Sequence, residues 1–209
     1  AVAGLHHGVA APVDRGAEWV RTESGLLDGV REIGSGTVAQ RMWAEPAITV
    51  IGIDTTPIDK ASNTLIPRAR AKVSMRVAPG GDAAAHLQAL RRHLEQHAPW
   101  GAHVTVTPGD VGQPYAIDAS GPVYDAARAA FRQAWGVDAV DMGMGGSIPF
   151  IAEFAAAFPD ATILVTGVED PGTQAHSINE SLDLGVLERA AVTEALLLDA
   201  LGSPGGHSQ

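Results

Sequence analysis

The residues best suited to chemistry lie in the C-terminal third of the chain. Gly143-Met144-Gly145-Gly146-Ser147-Ile148-Pro149 is a glycine-rich turn leading into a helix. After an apolar stretch come Glu169-Asp170-Pro171 and Ala175-His176-Ser177-Ile178-Asn179-Glu180, a polar loop with one histidine. Neutral imidazole is a common zinc donor, and α/β folds place sites in the loops that follow buried parallel strands, so His176 is a candidate metal ligand. The bland alternative is a surface histidine in a loop. Gly145 and Gly146 amides with the Ser147 hydroxyl would offer donors at a helix N-terminus to a substrate carboxylate or carbonyl. Ordinary N-capping by Ser147 is the competing role, and both can hold at once.

Further upstream, Arg68, Arg70, Lys72, Ser74 and Arg76 alternate strictly with Ala69, Ala71, Val73, Met75 and Val77. Period 2 over ten residues predicts a strand with one buried face and one wet, cationic face. From the wet face Arg76 can clamp a substrate carboxylate with a bidentate pair, whereas Arg68, Arg70 and Lys72 read as a solvated strand face. His86, His93 and His97 fall on one helical stripe, and 93 and 97 have the i, i+4 spacing of a metal pair. No carboxylate partner motif accompanies them, so the stripe reads as a solvated helix flank, and His6-His7 as surface.

The elements around these residues form two blocks. Residues 1–45 are weakly periodic, with a short helix expected near 36–43. Pro46 to Asp54 reads as a β-branched strand, and 55–63 as turn material. After the Arg68–Val77 strand, Pro79-Gly80-Gly81 breaks the chain. Asp82 then caps a helix to about Ala98, with Leu87, Leu90 and Leu94 on its apolar side and Pro99 as its stop. Ala102 to Thr107 reads as another alternating strand. Strand, strand, helix, strand predicts an antiparallel sheet with a helix on one face. The Pro, Gly and Asp content of 108–119 marks a boundary.

In the second block, Ser120 is expected to cap a helix with Pro122 in its first turn and Gly136 past its end. Its apolar residues are Val123, Ala127, Ala130, Phe131 and Ala134. Ala139 to Met142 reads as a short strand. Phe150, Ile151 and Phe154 are expected to face a core from a helix opened by Ser147, and Ile163-Leu164-Val165 reads as a strand covered on both faces. A helix from about Leu184 to Leu201 closes the block. The expected fold class is α/β, in segments 1–45, 46–115 and 116–209.

Composition narrows the function. The formal net charge of −10 argues against nucleic acid, whose phosphate backbone requires clustered Lys and Arg. No cysteine means no disulfide, thiolate site or thiol nucleophile, which suits a reducing cytoplasm. No window approaches the roughly 18 apolar residues of a membrane helix, and the N-terminus lacks a signal peptide's basic and apolar regions. Methionine removal before Ala1 would explain the missing Met, and a chain cut from something longer would explain both that and the lack of a helix cap or strand start.

From Pro46 to its end the chain resembles the zinc-dependent peptidase family of carnosinase-type dipeptidases, carboxypeptidase G and succinyl-diaminopimelate desuccinylase. Asn63-Thr64-Leu65-Ile66-Pro67 with Ser74-Met75-Arg76-Val77-Ala78-Pro79 resembles that family's lid, or dimerisation, domain. Gly145-Gly146-Ser147-Ile148-Pro149 resembles its substrate-binding turn, and Glu169-Asp170-Pro171 through His176-Ser177-Ile178-Asn179-Glu180 its last metal-ligand loop. Three motifs in the right order make the resemblance specific. It implies a partial α+β lid sandwich joined to the C-terminal part of an α/β catalytic domain. His176 would be a metal ligand, Glu169 and Asp170 would shape its loop, and Arg76 would anchor the substrate carboxylate. Either Asn63 or Thr64 would hold the scissile carbonyl. It further implies two divalent metal ions, expected to be zinc, a small peptide-like substrate with a free carboxylate, and a homodimer through the lid.

The family also uses an N-terminal His-x-Asp, a bridging Asp and a Glu-Glu pair that supplies the general base; this chain has neither His-x-Asp nor Glu-Glu. One histidine cannot hold a catalytic zinc, which needs about three protein ligands. The expectation is therefore the C-terminal portion of a metal-dependent dipeptidase, inactive alone. The alternatives are an N-acyl amino acid deacylase or desuccinylase of the same family, or a non-catalytic dimerisation or binding module.

Overall fold

The computed structural model describes residues 2–8, 14–143, 149–170 and 172–202. The chain divides into two units, one of Ala1–Ala11, Gln40–Ala116 and Gly143–Glu153, the other of Pro12–Ala39, Ile117–Met142 and Phe154–Gln209.

In the first unit, β1 (Ala47–Asp54) pairs antiparallel with β2 (Arg70–Arg76). Both follow from β-branched content and alternation in the sequence. The register sets Ile48 opposite Met75 and Val50 opposite Val73, then slips between Val50 and Gly52 so that Ile53 faces Ala71. That bulge keeps the apolar residues in cross-strand pairs and brings Asp54 opposite Arg70, whose Nε donates to the Asp54 carboxylate at 3.2 Å. The expected burial of one face is not found: β1 is exposed throughout, and only Val73 and Met75 of β2 are half-buried. Among the described elements no helix packs on this two-stranded ribbon, so an amphipathic pattern is present without a cover.

The same unit holds α2 (Ala83–Gln96), where the sequence places it. The Asp82 carboxylate accepts from the Ala84 and Ala85 amides at 2.8 and 3.4 Å, a side-chain N-cap. Asp82→Ala should therefore lower unfolding free energy by about 1 kcal/mol in urea titrations, and Asp82→Ser by much less. The buried face of α2 is turned from the leucine side toward the histidine side. Ala83, His86, Ala89 and Leu90 are buried, while Leu87 and Leu94 are only half-buried. His86 is thus not part of a solvated flank. The N-terminal segment covers it: the His6 amide donates to His86 Nε2 at 2.9 Å, while His86 Nδ1 donates to the Asp82 carbonyl at 2.8 Å. Both ring nitrogens are satisfied by main chain, which is what allows an imidazole at 2% exposure.

The short helix expected near 36–43 is a π-helical turn, Gln40–Ala44, preceded by buried Val38 and Ala39. Gln40 Nε2 donates to Glu45 at 2.6 Å and His7 pairs with the other carboxylate oxygen. Gln40 first and His7 second hold the Glu45 carboxyl below its usual range.

The second unit contains a helix the sequence reading misses, α1 (Gly16–Ser24). Gly25 ends it in the left-handed region at φ 63°, with the Leu26 amide reaching back to the Arg21 carbonyl at 3.2 Å and the Gly25 amide to Thr22 at 3.4 Å. That is a Schellman stop, and Ser24-Gly25-Leu26 is the signal that would have found it. Helix α3 (Pro122–Trp135) packs on α5 (Leu184–Gly202) through buried Ala127, Ala130 and Thr193. The Trp135 indole donates to Thr193 Oγ1 at 3.1 Å, and Arg189 lies over the indole at 4.8 Å. Gly121, at φ 101°, precedes α3 without a side-chain cap, so Ser120 does not have the capping role expected of it.

Helix α4 (Pro149–Ala157) forms, but Phe150 is 65% exposed and Phe154 36%, contrary to the expected core contact. The stretches 102–107, 139–142 and 163–165 are not strands. A strand exists only through a hydrogen-bonded neighbour, and among the described residues these have none. Instead side chains hold them: Arg91 donates to the Val106 carbonyl at 3.0 Å, Arg128 to Asp141 at 2.8 Å, and the Tyr124 hydroxyl to the Ile163 carbonyl at 3.0 Å.

Candidate functional site

The His176 loop is held by a set of local hydrogen bonds. Asp170 Oδ1 accepts from the Gly172 amide at 2.6 Å, and the Asp170 amide donates to Thr173 Oγ1 at 3.0 Å. The Thr173 amide returns to the Asp170 carbonyl, and the Ser181 amide closes the loop onto the Thr173 carbonyl, both at 3.0 Å. Thr173 is buried at the centre of this network. Its signal in the sequence is an Asp followed three residues later by a Thr that can bond back to it. Asp170 has the loop-shaping geometry expected of it.

This network holds a costly backbone. Gln174, His176 and Asn179 have φ of 53°, 63° and 59°. For residues other than glycine such conformations cost on the order of 1–3 kcal/mol each and persist only where the surroundings over-determine them. The outcome is an exposed imidazole on a fixed main chain, the Ser177 amide bonding to the Gln174 carbonyl at 3.0 Å beneath it. Among the described residues no three His, Asp or Glu side chains converge as a metal would require. His176 therefore does not fit a complete metal site with the partners described here.

The other candidates belong to the first unit. Asn63 and Thr64 are exposed in the connection between a 3₁₀ turn (Ile58–Lys60) and β2. Thr64 lines an open groove with Thr56, Lys60, Ser62, Leu65 and Pro67. Arg76 is exposed at the far end of β2, opposite Ala47, and makes no ion pair among the described residues. Strand rise separates it by about 20 Å from the Arg70 end, where the Asn63–Thr64 connection enters. Gly145, Gly146 and Ser147 lie outside the described residues. Gly143, which opens their turn, is described: a Cβ there would stand 2.5 Å from Trp43 Cβ and 2.7 Å from Trp43 Cγ. Its lack of a side chain is a packing requirement, with the main chain lying directly on the Trp43 side chain.

On α2, His93 and His97 stack at 4.2 Å between ring centroids. Desolvation holds the His93 imidazole below its usual range, and His97 beside it adds to the effect.

A family model described as peptidase family M20/M25/M40 matches residues 5–200. The chain belongs to peptidase family M20/M25/M40. A relative of this M20/M25/M40 chain, the cysteinylglycine-S-conjugate dipeptidase of Corynebacterium striatum, is 35% identical over 194 residues, 91% of this chain and 42% of the relative. Human carnosine dipeptidase 1 superimposes with a TM-score of 0.76 at 20% identity, covering 97% of this chain and 45% of that one. The di-peptidase Dug1p of Saccharomyces cerevisiae gives 0.70 at 21% identity, covering 92% and 41%. The M20/M25/M40 chain thus spans less than half the length of these relatives, and the structural likenesses establish its fold. Among the described residues no helix is long and apolar enough to cross a membrane.

Proposed function

We propose that this chain is the C-terminal portion of a metal-dependent dipeptidase that hydrolyses dipeptide-like amide bonds next to a free carboxylate. The observation carrying this reading is the 35% identity, over 91% of the chain, to a cysteinylglycine-S-conjugate dipeptidase. The three motifs around Arg76, Ser147 and His176 support it. In this reading 46–115 is part of a lid that pairs with a second copy, and 116–209 part of a catalytic domain working in the cytoplasm. Two divalent metal ions, zinc by family habit, belong to the complete enzyme. The described residues do not form their site, so His176 acts here only as a fixed, exposed imidazole awaiting partners.

The remaining residues have roles that need no metal. Arg76, a guanidinium with no ion pair among the described residues, pairs with the substrate carboxylate through two N–H donors. Asn63 or Thr64 donates to the scissile carbonyl from an exposed loop. The Gly145 and Gly146 amides and the Ser147 hydroxyl orient the carboxylate end.

The purified chain, supplied with zinc or manganese, should hydrolyse neither dipeptides nor N-acyl amino acids above the rate without protein. A longer polypeptide that adds His-x-Asp and Glu-Glu should be active on dipeptides, and Arg76→Ala in it should raise KM more than it lowers kcat. A metal-dependent rate from this chain alone would overturn its inactivity. Preference of the longer protein for N-acyl amino acids would replace the dipeptidase reading with a deacylase.

A further inference from the structure

We propose that His93 and His97 form a chelating site for a late first-row divalent metal ion that does not involve His176. The two imidazoles sit one helical turn apart near the C-terminal end of α2 and stack at 4.2 Å with 29° between ring planes, so both rings already extend on the same side of the helix. The stack brings the ring faces together rather than aiming their in-plane lone pairs at one point, so a bound ion draws the rings apart by side-chain rotation, and the one-turn helical spacing is what keeps both nitrogens within its reach.

The tautomer is also set. His97 Nδ1 lies 2.8 Å from the His93 carbonyl oxygen and donates its hydrogen there, which leaves the His97 Nε2 lone pair directed away from the main chain. This is the arrangement found in metal-binding histidines, where one ring nitrogen donates to a carbonyl and the other coordinates. The His93 ring nitrogens have no hydrogen-bond partner among the described residues, so coordination there displaces only water. The site faces outward, since His97 is exposed and His93 half-buried. It also lies in the last turn of a helix, whose unpaired carbonyls favour a cation.

The ligand follows from the donors. Two neutral imidazoles and open positions for water suit Cu(II), Ni(II) and Zn(II), and not Mg(II) or Ca(II), which take oxygen. Cu(II) binds tightest in that series. One ion forms two metal–nitrogen bonds from the ring lone pairs, and water fills the rest of its coordination sphere. No oxidation or proton transfer is involved.

The test titrates the intact chain with Cu(II) by calorimetry, with electron paramagnetic resonance to count coordinated nitrogens. A saturable site with two nitrogen ligands is expected. His93→Gln and His97→Gln should each weaken it at least tenfold, while His103→Gln and His176→Gln leave it unchanged. Circular dichroism should show α2 intact in both weakened variants. No saturable binding, equal affinity in all four variants, or loss in only one of the two α2 variants would each overturn the chelate. Loss in His176→Gln alone would also overturn it, and would bear instead on the C-terminal loop.

Discussion

Replacing His86 with alanine is expected to lower the unfolding free energy of the first unit by about 3 kcal/mol, because it removes a buried ring and strands a main-chain donor. The imidazole is 2% exposed and occupies the centre of the buried face of α2. Its Nε2 accepts from the His6 amide at 2.9 Å, and its Nδ1 donates to the Asp82 carbonyl at 2.8 Å. Alanine supplies neither contact and leaves a void beneath residues 2–8. The close fit extends to Gly81, where a Cβ would stand 3.0 Å from His86 Cε1. Urea denaturation measures the total loss. Hydrogen exchange supplies the specific readout, since the His6 amide should lose its protection in His86→Ala and keep part of it in His86→Gln, whose side-chain carbonyl can still accept. A loss under about 1 kcal/mol, or an unchanged His6 exchange rate, would show that the N-terminal segment is held by something else.

The second large effect is expected at Gly143. A methyl group there would enter the Trp43 side chain, with approaches of 2.5 Å to Cβ, 2.7 Å to Cγ and 3.2 Å to Cδ2. Real carbon atoms do not come so close, so Gly143→Ala must push the indole or the chain aside, at about 1–3 kcal/mol. Trp43 lies within the π-helical turn Gln40–Ala44, whose hydrogen bonds through Gln40 and Glu45 leave it little room to yield. The diagnostic experiment is a double-mutant cycle. Trp43→Gly, which removes Cβ together with the indole, should recover most of what Gly143→Ala loses, giving a coupling energy above about 1 kcal/mol, while Trp43→Ala keeps the Cβ at 2.5 Å and should recover less. Additive losses would mean that the main chain at 143, not the indole, resists the methyl. If the turn at 145–147 binds the substrate carboxylate, Gly143→Ala in a complete enzyme should raise KM as well, because the turn begins where the clash occurs.

Several elements were legible in the sequence because their causes are local. Strict alternation from Arg68 to Val77 gives β2, and the Asp82 side chain with Pro99 seventeen residues on brackets α2. Pro122 and Gly136 bound α3 for reasons of backbone geometry, a fixed φ at one end and φ 72° at the other. The loop-shaping role of Asp170, expected only from the family resemblance, rests on contacts within four residues.

Where expectation and structure differ on burial and strand pairing, the cause is that both depend on residues far away in sequence. His86, His93 and His97 lie on one stripe, yet only His86 is covered, because the segment carrying His6 arrives from eighty residues upstream. Ile163-Leu164-Val165 has the composition of a doubly covered strand, but composition cannot supply a hydrogen-bonded neighbour, and Leu164 and Val165 remain exposed at 36% and 42%. Motif order, capping and periodicity are written along the chain, and they specify the family, helices α2, α3 and α5 and strand β2. Which face of α2 is buried, why Gly143 must be bare to pass Trp43, and the positive φ of His176 in the loop closed on Thr173 follow from contacts in space. Each of those depends on which atoms meet in space, and chain order does not specify that.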